Sequence, residues 1–145
     1  MLHPSTRIPA LHGIALLIVR LALGLILMAH GWQKFDEWTI AGTSQAFEDM
    51  GIPAPDVSAP LVAGAELIGG AALILGVLTP LAALLNAIFM LGALVLVHAP
   101  AGLFVDQGGY ELVLAIFAGL AVLALQGGGR FSVDGLISRT RASTA

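Results

Sequence analysis

Residues 11–31 read LHGIALLIVRLALGLILMAHG. Apart from Arg20, His12 and His30, every side chain in this run is apolar or absent. A helix of this length rises roughly 30 Å, the thickness of the bilayer hydrocarbon. A surface helix of a soluble protein needs a polar face, and this run has none. It is read as a membrane-spanning helix. The competing reading is a cleaved leader. The central Arg20 and the lack of an Ala-x-Ala site speak against it.

The rest of the chain agrees. Of 145 residues, 58% are hydrophobic and 10% are charged, and the mean hydropathy is +0.96. Soluble domains carry about 25% charged residues. Soluble, disordered and collagen-like classes are therefore excluded. A net charge of −3 with six Lys+Arg leaves no basic stripe for nucleic acid. With no cysteine, disulfides, thiolate nucleophiles, iron–sulfur clusters and Cys zinc sites are unavailable. Nor does the sequence carry a cluster that predicts any other metal site.

Three further apolar runs follow. Val57–Leu78 is interrupted by Glu66, Leu81–Ala99 starts after Pro80, and Tyr110–Gln126 is shorter. The expectation is an all-α integral membrane protein of one domain, 1–145, with four transmembrane helices. Arg7, Arg130, Arg139 and Arg141 fall on one side. The other side has only Lys34, among Asp36, Glu37, Glu48, Asp49, Asp56 and Asp106. The positive-inside rule then places both termini, with the tail 130–145, in the cytoplasm. In the first loop, Ile40, Phe47 and Met50 recur at helical spacing. They predict a short amphipathic helix on the outer surface, broken by the Gly51–Pro55 stretch. After span four, Gly127–Asp134 reads GGGRFSVD and predicts a short helix capped near Ser132. Trp32, Trp38 and Tyr110 form an aromatic belt at the outer boundary.

The buried charges matter most. Arg20 lies nine residues into the first run and Glu66 nine into the second, which runs the opposite way. Each is then roughly 13 Å deep. An unpaired charge at mid-bilayer costs about 2.5–3.5 kcal/mol or more. The expectation is an intramembrane Arg20–Glu66 ion pair. Gly13, Gly24 and Gly31 share a face with Arg20, and Ala59, Ala63, Gly69 and Gly70 lie around Glu66. Small residues there let two helices approach closely. Asn86 is expected to act as helix–helix glue or to join the Arg20 network.

A second polar set gathers at the outer face: His30, Lys34, His98, Asp106 and Glu111. It outlines a pocket at the depth where a quinone head group or small anion arrives. Lys34 attracts an anion, His30 or His98 hydrogen-bonds a carbonyl or relays a proton, and Glu111 accepts one. The competing reading is snorkelling and loop capping. A repeated His pattern that would argue for haem is missing.

The motifs then become specific. Arg20-Leu-Ala-Leu-Gly24 with His30-Gly-Trp-Gln-Lys34-Phe35 resembles the opening helix of the DoxX family. So do Gly64-Ala-Glu66-Leu-Ile-Gly-Gly70 continuing to Thr79, His98 through Glu111, and Gly127–Asp134. The four blocks occur in order over nearly the whole chain. Gly128, where relatives often carry Pro, and Asp106-Gln107, where relatives often have a more basic loop, depart from the pattern. The resemblance implies a four-helix protein of the bacterial inner membrane, similar to the small membrane subunit of thiosulfate:quinone oxidoreductase. It also implies a tie to quinone and oxidative-stress pathways.

The expected function is a membrane subunit of a quinone-linked oxidoreductase or oxidative-stress system. It binds a quinone or small anion in the outward pocket, with no covalent cofactor. Lacking a thiol, it must position a quinone, or pass electrons between bound substrates or to a redox partner protein. Two other readings stand beside it: a non-catalytic scaffold docking soluble redox enzymes through its tail, and a solute or proton transporter using Arg20 and Glu66, acting as a homo-oligomer or through one site.

Overall fold

A computed structural model describes residues 9–142. Helix α1 spans Pro9–Trp32 and continues as a π-helical turn over Gln33–Glu37. Helix α2 is Thr39–Asp49, α3 Pro55–Leu75, and α4 Thr79–Ala93 with a π turn at Leu94–His98. Helix α5 is Glu111–Gln126 and α6 Val133–Ala142. Among the described residues there is no strand. His3 and Arg7 lie outside the described residues, as does the side chain of Arg141.

Three helices are long and apolar enough to cross a membrane: Ala10–Glu37, Pro55–Leu75 and Thr79–Ala101. The fourth expected span is α5, an apolar helix of 16 residues. At roughly 24 Å it is shorter than the hydrocarbon layer. The bundle is built inside-out. Arg20, Glu66, Asn86, Thr79 and Lys34 are buried, while Ile18, Leu25, Ile68, Leu84, Ile88 and Leu125 are exposed. No more than 33% of each long apolar window is buried within the protein. The remaining apolar surface needs lipid, and the chain is a multi-pass membrane protein.

Helix α1 packs chiefly on α3, and α4 on α5. Glycine sets the first contact. A Cβ on Gly24 lies 2.8 Å from the Gly70 carbonyl oxygen, and one on Gly31 lies 2.6 Å from the Leu67 nitrogen. The backbones touch where side chains are missing, as small residues allow. Leu16, Leu23, Leu27, Leu73, Met90, Val113, Ile116, Leu120 and Leu123 fill the shared core.

Helix α2 forms where its spacing predicts, with Ile40 and Phe47 half-buried and two hydroxyl residues buried beside them. It packs on α3 and buries Thr43 and Ser44. Met50 is 49% exposed. The Thr43 hydroxyl lies 2.9 Å from the Thr39 carbonyl and 3.2 Å from that of Lys34 and can donate to either, and Ser44 Oγ donates to the Pro55 carbonyl (3.3 Å). Both hydroxyls find backbone carbonyl acceptors where they are buried, which satisfies them inside the protein.

The GGGRFSVD segment folds back under α1, α3 and α4. Ser132 Oγ accepts from the Gly135 N–H (3.0 Å), capping α6 at the expected residue. The Asp134 carboxylate accepts from the N–H groups of Leu78 and Thr79, each at 2.9 Å. A residue from one helix thus caps the start of another.

Candidate functional site

Arg20 and Glu66 do not pair. Arg20 is 1% exposed and donates to three backbone carbonyls. Nη1 reaches Gly128 (2.9 Å), and Nη2 reaches Phe131 (3.1 Å) and Ile74 (3.4 Å). Glu66 Oε2 instead lies 2.6 Å from Lys34 Nζ. Helix register explains the correction. Gly24 meets Gly70 and Ile74, and Gly31 meets Ala63 and Leu67. Arg20 is then level with Ile74–Gly76, and Glu66 is level with the end of α1. The two are separated by roughly 15 Å along the bundle. The sequence argument aligned the two span ends, but α1 runs on past Gly31 to Glu37. Arg20 is therefore a clasp at the Gly-rich end. Asn86 does not join it. Asn86 Nδ2 donates to Ala65 (3.1 Å) and Ala82 (2.9 Å), as helix glue.

The Lys34–Glu66 pair lies at the other end, beside a cavity of about 560 Å³. Each helix offers a stripe at the spacing of successive turns: Ile26, His30 and Lys34 on α1; Ser58, Val62 and Glu66 on α3; Phe89, Ala93 and Val97 on α4; Leu112 and Ile116 on α5. Phe47 and Met50 of α2 add a wall. The polar groups on the lining are few: Lys34 and Glu66, which touch, with His30, His98 and Ser58 at other points of the wall. Two of them sit next to or within a π turn, a distortion frequent at functional sites: Lys34 in Gln33–Glu37, and His98 closing Leu94–His98.

The expected pocket residues divide. His30, Lys34 and His98 line the cavity; Glu111 and Asp106 do not. Glu111 Oε1 accepts from the Val105 N–H (2.8 Å) and so caps the loop before α5. His98 Nδ1 lies 2.7 Å from the Gly108 carbonyl. A carbonyl only accepts, so Nδ1 carries the proton and Nε2 of the neutral ring is an acceptor. Ser58 Oγ is buried without a hydrogen-bond partner. Glu66 Oε1 has no hydrogen bond among the described residues. Lys34 Nζ has three protons, and its contacts are Glu66 and, at 3.5 Å, the His30 carbonyl.

Sequence reasoning missed Ser58 and the Lys34–Glu66 pair. The signal for the pair was available. Gly24 and Gly31 are spaced like Ala63 and Gly70. Apposing those two sets in antiparallel helices places Glu66 near His30 and Lys34.

The cavity is apolar along its walls and can present both donors and an acceptor near Lys34. Volume and lining match a small-molecule site. Comparison with known proteins adds the lineage. The DoxX family profile matches residues 15–99. The inner membrane protein YqjF of Escherichia coli K12 is 33% identical over 129 residues, covering 89% of this chain and 96% of that protein. No solved structure matches significantly.

Proposed function

This chain belongs to the DoxX family, and from that premise we propose that it is a membrane subunit binding a quinone for an oxidoreductase system. The supporting observation is the 560 Å³ cavity with apolar walls and the Lys34–Glu66 pair on its lining. The residues fit the group. Lys34 Nζ and Ser58 Oγ can donate to a quinone carbonyl, and Glu66 Oε1 can accept from a hydroquinone hydroxyl. A bound quinone supplies two-electron, two-proton redox chemistry. The chain's own part is to orient the head group, exclude water with Phe47, Phe89 and Val113, and hold protons at Lys34 Nζ and His98. The Lys34–Glu66 pair carries no net charge. A neutral head group is therefore favoured over the anion expected from Lys34 alone.

The scaffold and transporter readings have less support. The first part of the tail is engaged in the fold through Arg20 and Asp134. Arg20 is held by carbonyls far from Glu66, which leaves no continuous ionisable path between them.

Quinone binding by the purified protein tests the proposal, comparing wild type with His30→Ala/Lys34→Ala. Binding by wild type that the double variant loses is the expected result. A folded wild type that binds no quinone overturns it.

A further inference from the structure

The cavity is not closed towards the lipid. Helix α4 lines it with two adjacent stripes. Phe89, Ala93 and Val97 form the deeper one, and Ile88, Gly92 and Leu96 the outer one. The outer stripe also belongs to the surface: Ile88 is 56% and Leu96 48% exposed. On a helical wheel this stripe lies away from the buried Ala83 and Ala87 and adjoins Phe89 on the side of Asn86, which bonds α3. It therefore flanks the gap between α4 and α3. Those two helices are less closely packed than α1 with α3 or α4 with α5. Asn86 bridges them to Ala65. Outward of that bridge, Phe89, Ala93 and Val97 from α4 and Ser58 and Val62 from α3 line the cavity. A Cβ on Gly92 would meet nothing within 4 Å.

We infer that the gap between α3 and α4 is a lateral slot through which the apolar tail of a lipid-soluble quinone leaves the cavity into the bilayer. This rests on the quinone reading and specifies its ligand class. The slot is apolar, runs roughly 12 Å along α4, and joins the lipid-facing surface. The Lys34–Glu66 pair sits at its inner end, level with Asn86, and His98 follows Leu96 at the outer end. That order, polar head then apolar track then lipid, fits a head group carrying a long isoprenoid chain. A tailless ring leaves the track empty.

The test compares a tailless benzoquinone with the same ring bearing a long isoprenoid tail, on the full chain in phosphatidylcholine nanodiscs. The variants are Gly92→Phe, which fills the slot, and Gly64→Phe. Gly64 is another helical glycine whose added Cβ meets nothing within 4 Å but which does not line the cavity. Gly92→Phe is expected to weaken tailed-quinone binding by about tenfold or more, the loss of contact with about two methylenes. It should weaken the tailless ring far less, and Gly64→Phe should bind both as wild type does. Equal effects on both ligands, or none, overturn the slot. If wild type binds neither, the quinone reading fails, and native mass spectrometry of co-purified lipids decides the slot separately. A lipid kept by wild type and lost by Gly92→Phe supports a lipid-chain slot for another head group. No such lipid overturns it.

Discussion

Lys34 and Glu66 each neutralise a charge that lipid cannot solvate. Truncating one leaves the other buried alone, a loss of about 3–5 kcal/mol. Lys34→Met and Glu66→Leu singly should therefore lower the thermal midpoint in detergent far more than the double variant does. Equal losses in all three would show that the pair is not the stabilising unit. The double variant should also lose quinone affinity while folded, which separates the site's chemistry from its stability. Arg20 is a different residue physically. Its three carbonyl contacts need a planar fork, and hydrogen bonds to charged groups contribute about 1.5–3 kcal/mol each. Arg20→Lys should destabilise the fold yet leave quinone affinity in the surviving folded fraction unchanged. A selective loss of affinity would move Arg20 into the site.

At the scale of elements, two devices hold the helices. The first is the glycine contact of α1 with α3. A Cβ on Gly70 lies 2.7 Å from the Gly24 carbonyl oxygen, so Gly70→Ala forces the backbones apart. Such overpacking costs about 1–3 kcal/mol. Gly64→Ala, in open space on the same helix, should be neutral or stabilising. Unfolding midpoints of the two variants check this, and equal midpoints would refute the close crossing. The second device is the cap of α4 by Asp134. Asp134→Ala should cost about 0.5–2 kcal/mol and loosen α6, seen as faster amide exchange at Leu78 and Thr79. Spacing announced α2 and α6 because capping and periodicity are local. The burial of Thr43 and Ser44 was not legible, because it depends on how α2 docks on α3.

For the whole molecule, the polar interior and apolar exterior follow from lipid as the solvent. The positive-inside argument predicts that α5 completes a fourth crossing and leaves both ends of the chain on the cytoplasmic side. The absence of native cysteine makes this simple to test. Ser138→Cys and Asp106→Cys should react with a membrane-impermeant maleimide from opposite faces, position 138 only from the cytoplasm. Labelling of both from one face would require α5 to lie in the interface.

Composition and run length alone determined an all-helical membrane protein, because unbroken apolar runs of about 20 residues satisfy their backbone in lipid as helices, whereas barrel strands alternate. The same residues also marked Arg20, Glu66, His30, Lys34 and His98 as the groups needing an explanation. Only the tertiary structure decided who pairs with whom. Pairing depends on the vertical register of α1 against α3, set by backbone contact at Gly24, Gly31 and Gly70. A shift of roughly ten residues along one helix left the list of charges intact and exchanged every partner. Ser58 and the cavity it lines became visible only there, since a cavity is the space several helices leave between them.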